Sequence, residues 1–146
     1  VAVTVKIKTE AGIEAPTKAT KGSAGYDIRA KLDEDVSLAP GERKLFKTGI
    51  YLEIPEGYEA QMRPRSGLAI KHGITLINAV GTIDSDYRGE IMIPLVNLGS
   101  EEFVVKNGER IAQMIIAKYE DILWDEESSF TGTERGTGGF GSTGEE

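Results

Sequence analysis

The stretch Ile50-Tyr-Leu-Glu-Ile54-Pro55-Glu-Gly57-Tyr58-Glu-Ala-Gln-Met-Arg63 reads as two short strands joined at a turn. Isoleucine and tyrosine suit a pleated surface, proline presets the first turn torsion, and glycine supplies a conformation that side chains resist. The same unit recurs outward in both directions. Strand-like runs stand at Val36–Leu38, Ile74–Ile77, Ile91–Leu98, Phe103–Lys106 and Ile111–Tyr119, with turns such as Ala39-Pro-Gly41 and Lys106-Asn-Gly108 between them. At the start, Val1, Val3, Val5 and Ile7 alternate with Ala2, Thr4, Lys6 and Lys8, which predicts a half-buried strand. Many short strands with Gly/Pro turns predict an all-β antiparallel sandwich or barrel, with a jelly roll among the candidates. Only Ser66-Gly-Leu-Ala-Ile-Lys71 has a helical look, with Ser66 as its N-cap and Gly73 as its stop. Near Asp125 the strand-forming residues give way to Glu, Ser, Thr and Gly. One folded domain over residues 1–125 and a flexible C-terminal tail over residues 126–146 follow.

Composition narrows the chemistry. The chain has 146 residues, no cysteine and one histidine, His72. Thiol nucleophiles, thiolate metal sites and histidine clusters are therefore excluded. A formal charge of −7 disfavours nucleic-acid binding through a basic surface, but leaves a small anionic ligand open. No long apolar span and no signal pattern are visible, so no membrane association and a soluble, cytoplasmic setting are expected, with nuclear or organellar targeting left open.

The tail carries Arg135-Gly-Thr-Gly-Gly-Phe140-Gly141-Ser142-Thr143-Gly144. It holds too little apolar surface to fold alone and is expected to be mobile without ligand. Its glycine amides, hydroxyls and arginine suit phosphate oxygens, and Phe140 offers a face to a nucleobase. Gly136-Thr-Gly-Gly-Phe-Gly141 also spells G-x-G-x-x-G, but that fingerprint works only between a strand and a helix. Five residues after Gly141 leave no room for either.

Four further segments bear polar groups in suggestive places. Gly81-Thr-Ile-Asp84-Ser-Asp86-Tyr87-Arg-Gly89 offers a carboxylate for proton transfer and a ring for packing on substrate, or simply a tight turn. If it is extended, Asp84 and Asp86 share one face. Arg63-Pro-Arg65-Ser66-Gly67 opens the helix, where free amides and cations suit anions, or where Ser66 merely caps. Ala24-Gly25-Tyr26-Asp27 reads first as a turn. Gln113 is the polar exception in Gly108-Glu-Arg110-Ile-Ala-Gln113-Met, and bonds either backbone or a ligand.

Together, in this order, the five segments resemble the five motifs of the trimeric deoxyuridine triphosphatases, nearly end to end. That resemblance implies a distorted jelly-roll homotrimer with three shared active sites. It implies hydrolysis of dUTP to dUMP and pyrophosphate with Mg²⁺. It also implies roles. Asp84 orients and deprotonates the attacking water, and Tyr87 packs on the deoxyribose, leaving no room for a 2′-hydroxyl. Asn78, in the hairpin from Ile74 to Thr82, bonds uracil, with Thr82, Ile83 and Met92 completing the pocket. Arg65, Ser66 and Gly67 cradle phosphate, and Gln113 lies near the α-phosphate and the water. Asp27 meets the metal through water, the Mg²⁺ being held mainly by phosphates. Arg135, Gly141, Ser142 and Thr143 resemble the γ-phosphate clamp, and Phe140 resembles the lid over uracil.

Two rivals remain. A dCTP deaminase-type relative shares the fold, but that subgroup carries a glutamate five residues after the glycine matching Gly89, where this chain has Pro94. A nucleotide-sensing regulatory protein would bind without turnover, and the intact Asp84, Gln113 and tail argue against it.

Overall fold

In a computed structural model, residues 2–141 are described, so the expected clamp residues Ser142 and Thr143 lie outside the described residues. The strands are β1 (Lys6–Thr9), β2 (Tyr26–Arg29), β3 (Val36–Leu38), β4 (Arg43–Glu53) and β5 (Tyr58–Arg63). One short helix, α1 (Ser66–His72), precedes β6 (Ile74–Leu76), β7 (Gly81–Ile83), β8 (Glu90–Asn97), β9 (Phe103–Val105) and β10 (Arg110–Lys118). Two four-stranded sheets, ordered β1-β4-β8-β6 and β2-β10-β5-β7, pack as a distorted jelly-roll sandwich, with β3-β9 as a small third sheet. Every recorded pairing is antiparallel.

Alternation explains the layers. Along β8, Ile91, Ile93 and Leu95 point into the core while Glu90 and Met92 take the opposite, half-buried face. Phe46, Ile50 and Leu52 from β4, Ala60 and Met62 from β5, and Ile111, Ala112 and Met114 from β10 meet them in one cluster. Buried Asn97 is fully satisfied: its amide donates to the carbonyls of Leu38 and Glu101 and accepts from the Gly99 N–H.

Four sequence expectations need correction. The N-terminal alternation is not a half-buried strand within one protomer. Pairing starts only at Lys6, and Val3 and Ile7 are exposed. Ser66 does not cap the helix. Arg65, extended after Pro64, is the N-cap residue, no side chain caps it, and Ser66 is the first helical residue. Ala24–Asp27 is not simply a turn, because Tyr26 and Asp27 begin β2 against β10. The span from Ile74 to Thr82 is not a paired hairpin either. β6 joins β8 in one sheet and β7 joins β5 in the other, so this connection crosses the sandwich.

Candidate active site

Two groups of the expected site residues are each drawn together, at separate places. The first forms where β2, β10 and β5 lie side by side. Gln113 in β10 is in register with Asp27 on one neighbour and Arg63 on the other. Its side-chain amide donates to the Pro64 carbonyl at 3.0 Å. Its amide oxygen occupies the space that a side chain at position 25 would need, and its Cβ would lie only 3.0 Å from such a group. Glycine at position 25 is therefore a packing requirement of Gln113. The Asp27 carboxylate is mostly buried and lies 3.7 Å from the Arg110 guanidinium. Arg65 in turn donates to the Arg110 carbonyl at 3.3 Å. Two arginines, 65 and 110, thus lie close to one carboxylate, beside the exposed start of α1 at Ser66 and Gly67, while the Arg63 guanidinium turns to Gln61 at 2.6 Å. That is a cationic setting suited to phosphate oxygens.

Arg110 went unnoticed in the sequence. Its signal was its position, three residues before Gln113, where a bulge in the β2–β10 register sits between Arg110 and Ala112.

The second group surrounds Asp84. Asp84-Ser-Asp-Tyr87 is a tight turn closed by the Tyr87 N–H on the Asp84 carbonyl at 3.1 Å, so the shared-face argument for Asp84 and Asp86 does not apply. The turn borders a cleft of about 320 Å³ lined by Leu45, Thr82, Ile83, Asp84, Tyr87, Glu90 and Met92. A carboxylate and a phenol thus face an apolar floor, a combination that suits a planar base and its sugar. The Tyr87 hydroxyl donates to the Glu90 carbonyl at 2.8 Å. Its ring passes directly over Gly89, where a Cβ would fall 2.6 Å from the ring carbon bearing the hydroxyl. On its other side Asp84 borders a larger cleft of about 760 Å³ with Glu56, Glu59, Asp86 and Arg88. Four carboxylates against one arginine repel a polyanion, and the smaller cleft, whose apolar residues surround Asp84 and Glu90, better suits an uncharged base and sugar. Asn78 packs against Gly81 and is not among the residues lining that cleft. Leu45 was missed in the sequence because charged neighbours hid the strand that carries it, and Glu90 because it stands one residue before the apolar run that marked β8.

Of the expected tail residues, the described ones, Arg135, Phe140 and Gly141, line neither cleft. Arg135 donates to the Gly138 carbonyl at 2.8 Å, and Phe140 is fully exposed with a positive φ of 54°. Gly141 also takes a positive φ.

A model of the dUTPase family matches residues 11–144. The chain belongs to the dUTPase family. It is 58% identical to the deoxyuridine 5′-triphosphate nucleotidohydrolase of Finegoldia magna over 96% of its own length and 98% of the relative's. The enzyme of the same name from Rickettsia felis is 60% identical, covering 88% of this chain and 87% of that one. Among solved structures, a Staphylococcus bacteriophage 80alpha dUTPase with dUPNHPP superposes with a TM-score of 0.82 at 29% identity, covering 97% of this chain and 98% of the phage chain.

Proposed function

We propose that this protein hydrolyses dUTP to dUMP and pyrophosphate, with Asp84 as the general base. The observation that carries the reading is the Asp84–Tyr87 turn, which sets a carboxylate and a ring over one apolar cleft. The Asp84 carboxylate takes a proton from water as the water oxygen bonds to the α-phosphorus. The bond from that phosphorus to the bridging oxygen breaks, and pyrophosphate leaves. Tyr87 packs on the deoxyribose, while Thr82, Ile83 and Met92, with Asn78 beside them, receive uracil. The hydrolysis removes dUTP, which keeps uracil out of DNA, and supplies dUMP for thymidylate synthesis, a role that goes with a cytoplasmic setting. Among the described residues no helix is long and apolar enough to cross a membrane.

Arg65, Ser66 and Gly67 hold phosphate, and Gln113 orients the water near the α-phosphate. Mg²⁺ fits this donor set. No cluster of three or more potential protein ligands exists among the described residues, but Mg²⁺ keeps several waters and favours phosphate oxygens with one or two carboxylates. Asp27 is the carboxylate that would meet it, through water. When bound, the ion neutralises phosphate charge as the leaving group departs.

The site is shared in a homotrimer, one copy giving Asp27, Ser66 and Gln113, a second giving Asp84 and Tyr87, and a third the tail. Supporting this, the Asp84 and Gln113 groups do not meet within one chain. Ile122, Leu123 and Trp124 also stand 68%, 96% and 80% exposed, an apolar run of the kind that marks contact between chains. In the tail, residues 126–146, Arg135, Gly141, Ser142 and Thr143 clamp the γ-phosphate and Phe140 covers uracil.

Pyrophosphate release from dUTP, dCTP, dTTP and UTP by wild type and Asp84→Asn tests the reading. Release from dUTP alone, lost in the variant, is expected. No release from dUTP overturns it, and ammonia from dCTP would transfer the assignment to a deaminase.

A further inference from the structure

Strand β4 carries a bulge directly opposite the start of β8. Lys47 pairs with Met92 and Tyr51 with Glu90, so four steps along β4 face two along β8. Bulged residues lose ladder partners, and their N–H groups must be satisfied some other way. Here side chains do it. The Gly49 N–H donates to the Glu90 carboxylate at 2.9 Å. The Ile50 N–H donates to the Thr48 hydroxyl at 3.2 Å, and that hydroxyl donates to the Ile91 carbonyl at 2.6 Å. Thr48 is almost wholly buried. Gly49 holds a φ of 70° with Ile13 and Lys31 crowding the position of a side chain, so the bulge requires glycine there.

Glu90 therefore has two attachments. Its carboxylate ties the first residue of β8 to the bulge, and its main-chain carbonyl receives the Tyr87 hydroxyl. Gly89 between them leaves the ring no clearance to spare. Glu90 itself lines the apolar cleft, yet its carboxylate is engaged by backbone.

We infer that Glu90 is a specificity-determining positioning residue, fixing the Tyr87 ring at the distance that admits a deoxyribose and rejects a ribose. Discrimination of one hydroxyl by packing needs a wall that does not yield. Tyr87 alone is 42% exposed and hangs from a turn, and its hydroxyl bond to residue 90 is what makes it rigid. This rests on the proposed contact of Tyr87 with the sugar.

The test compares kcat and KM for dUTP and UTP in wild type, Glu90→Ala, Glu90→Gln, Tyr87→Phe and the double variant Tyr87→Phe/Glu90→Ala. Glutamine keeps an acceptor for the Gly49 N–H and should leave the dUTP-over-UTP preference in kcat/KM within about twofold of wild type. Alanine should lower that preference about tenfold, the effect expected of one lost part-buried hydrogen bond to a carboxylate. Tyr87→Phe should lower it similarly, and the double variant no further than the larger single change, because both act through one ring. A preference unchanged in Glu90→Ala, or strictly multiplicative effects in the double variant, overturns the inference alone. Should Glu90→Ala not fold, Tyr87→Phe decides, and an unchanged preference there overturns it. A wild-type protein that does not prefer dUTP overturns the functional reading, and this inference with it.

Discussion

Gln113 and Asp84 lie off opposite ends of β5. Gln113 is in register with Arg63, the last residue of that strand, while β7 runs the other way and delivers Asp84 past Ala60 toward Glu59. At about 3.3 Å per residue, the four steps from 59 to 63 separate the two by roughly 13 Å along the strand alone. A water held by Gln113 is out of reach of its own chain's Asp84, since proton transfer needs contact at about 3 Å. The two proposed halves of the catalytic apparatus thus lie toward opposite ends of the same strand. The consequences below follow from that separation and from the packing of each half.

Asp84→Asn keeps the size of the side chain and removes its basicity. Turnover of dUTP should fall by about 10²- to 10⁴-fold, the usual contribution of a general base. Calorimetric titration with a non-hydrolysable dUTP analogue should show binding within a few-fold of wild type.

Gly25→Ala places a methyl group where the Gln113 amide oxygen now stands. Either Gln113 leaves the Pro64 carbonyl or β2 shifts from β10. Overpacking of this kind costs about 1–3 kcal/mol, and kcat should drop while the apparent Tm falls by several degrees. Steady-state kinetics and thermal unfolding on one preparation check both.

Removing residues 131–146 should abolish turnover and leave Tm essentially unchanged. Arg135, Gly136 and Gly138 bond each other and Thr133, and the side chains of Phe130 and Phe140 are exposed. A loss of Tm comparable to that of a core variant would contradict this.

The Glu10–Lys31 pair, beside the Gly49 bulge, gives a pH signature of its own. The hydrogen bond from Lys31 holds the Glu10 carboxyl below its ordinary value of 4.5, and the same bond raises Lys31 above 10.5. A lowered carboxyl contributes stability above its unfolded value and loses it as pH falls through the folded one. A raised amine contributes below 10.5 and loses it as pH climbs through its own folded value. Glu10→Gln should therefore lower Tm modestly from about pH 5 to pH 10, with the difference from wild type vanishing in acid. Thermal scans across pH measure it.

Most strands were legible because their apolar residues alternate. Tyr58–Arg63 and Val36–Leu38 are bounded as expected, and β8 and β10 to within a residue or so. The misses have physical causes. Arg43–Gly49 of β4 was hidden by Arg43, Lys44, Lys47 and a glycine, since the bulge at Thr48–Gly49 breaks the period that would have revealed it. β2 was masked by Gly25, whose purpose appears only once Gln113 is seen against it. The path from Ile74 to Thr82 reads as a hairpin in any local view, because only long-range pairing shows that β6 and β7 join different sheets. At the proposed site, residue types drew attention to Asp84, Tyr87, Gln113 and Asp27, and the five-motif resemblance gave them roles. Arg110, Leu45 and Glu90 did not announce themselves, because their roles come from neighbours distant in sequence.

The central claim is that Asp84 and Gln113 act together across a subunit boundary. Two individually inactive variants, Asp84→Asn and Gln113→Ala, should be denatured, mixed in equal amounts and refolded, and dUTP hydrolysis measured beside each variant refolded alone. In mixed trimers, some sites pair the intact Asp84 of one copy with the intact Gln113 of another. The account predicts recovery to roughly a quarter of wild-type activity from random assortment. Mixed trimers that form, verified by mass, yet remain as inactive as their parents would contradict it.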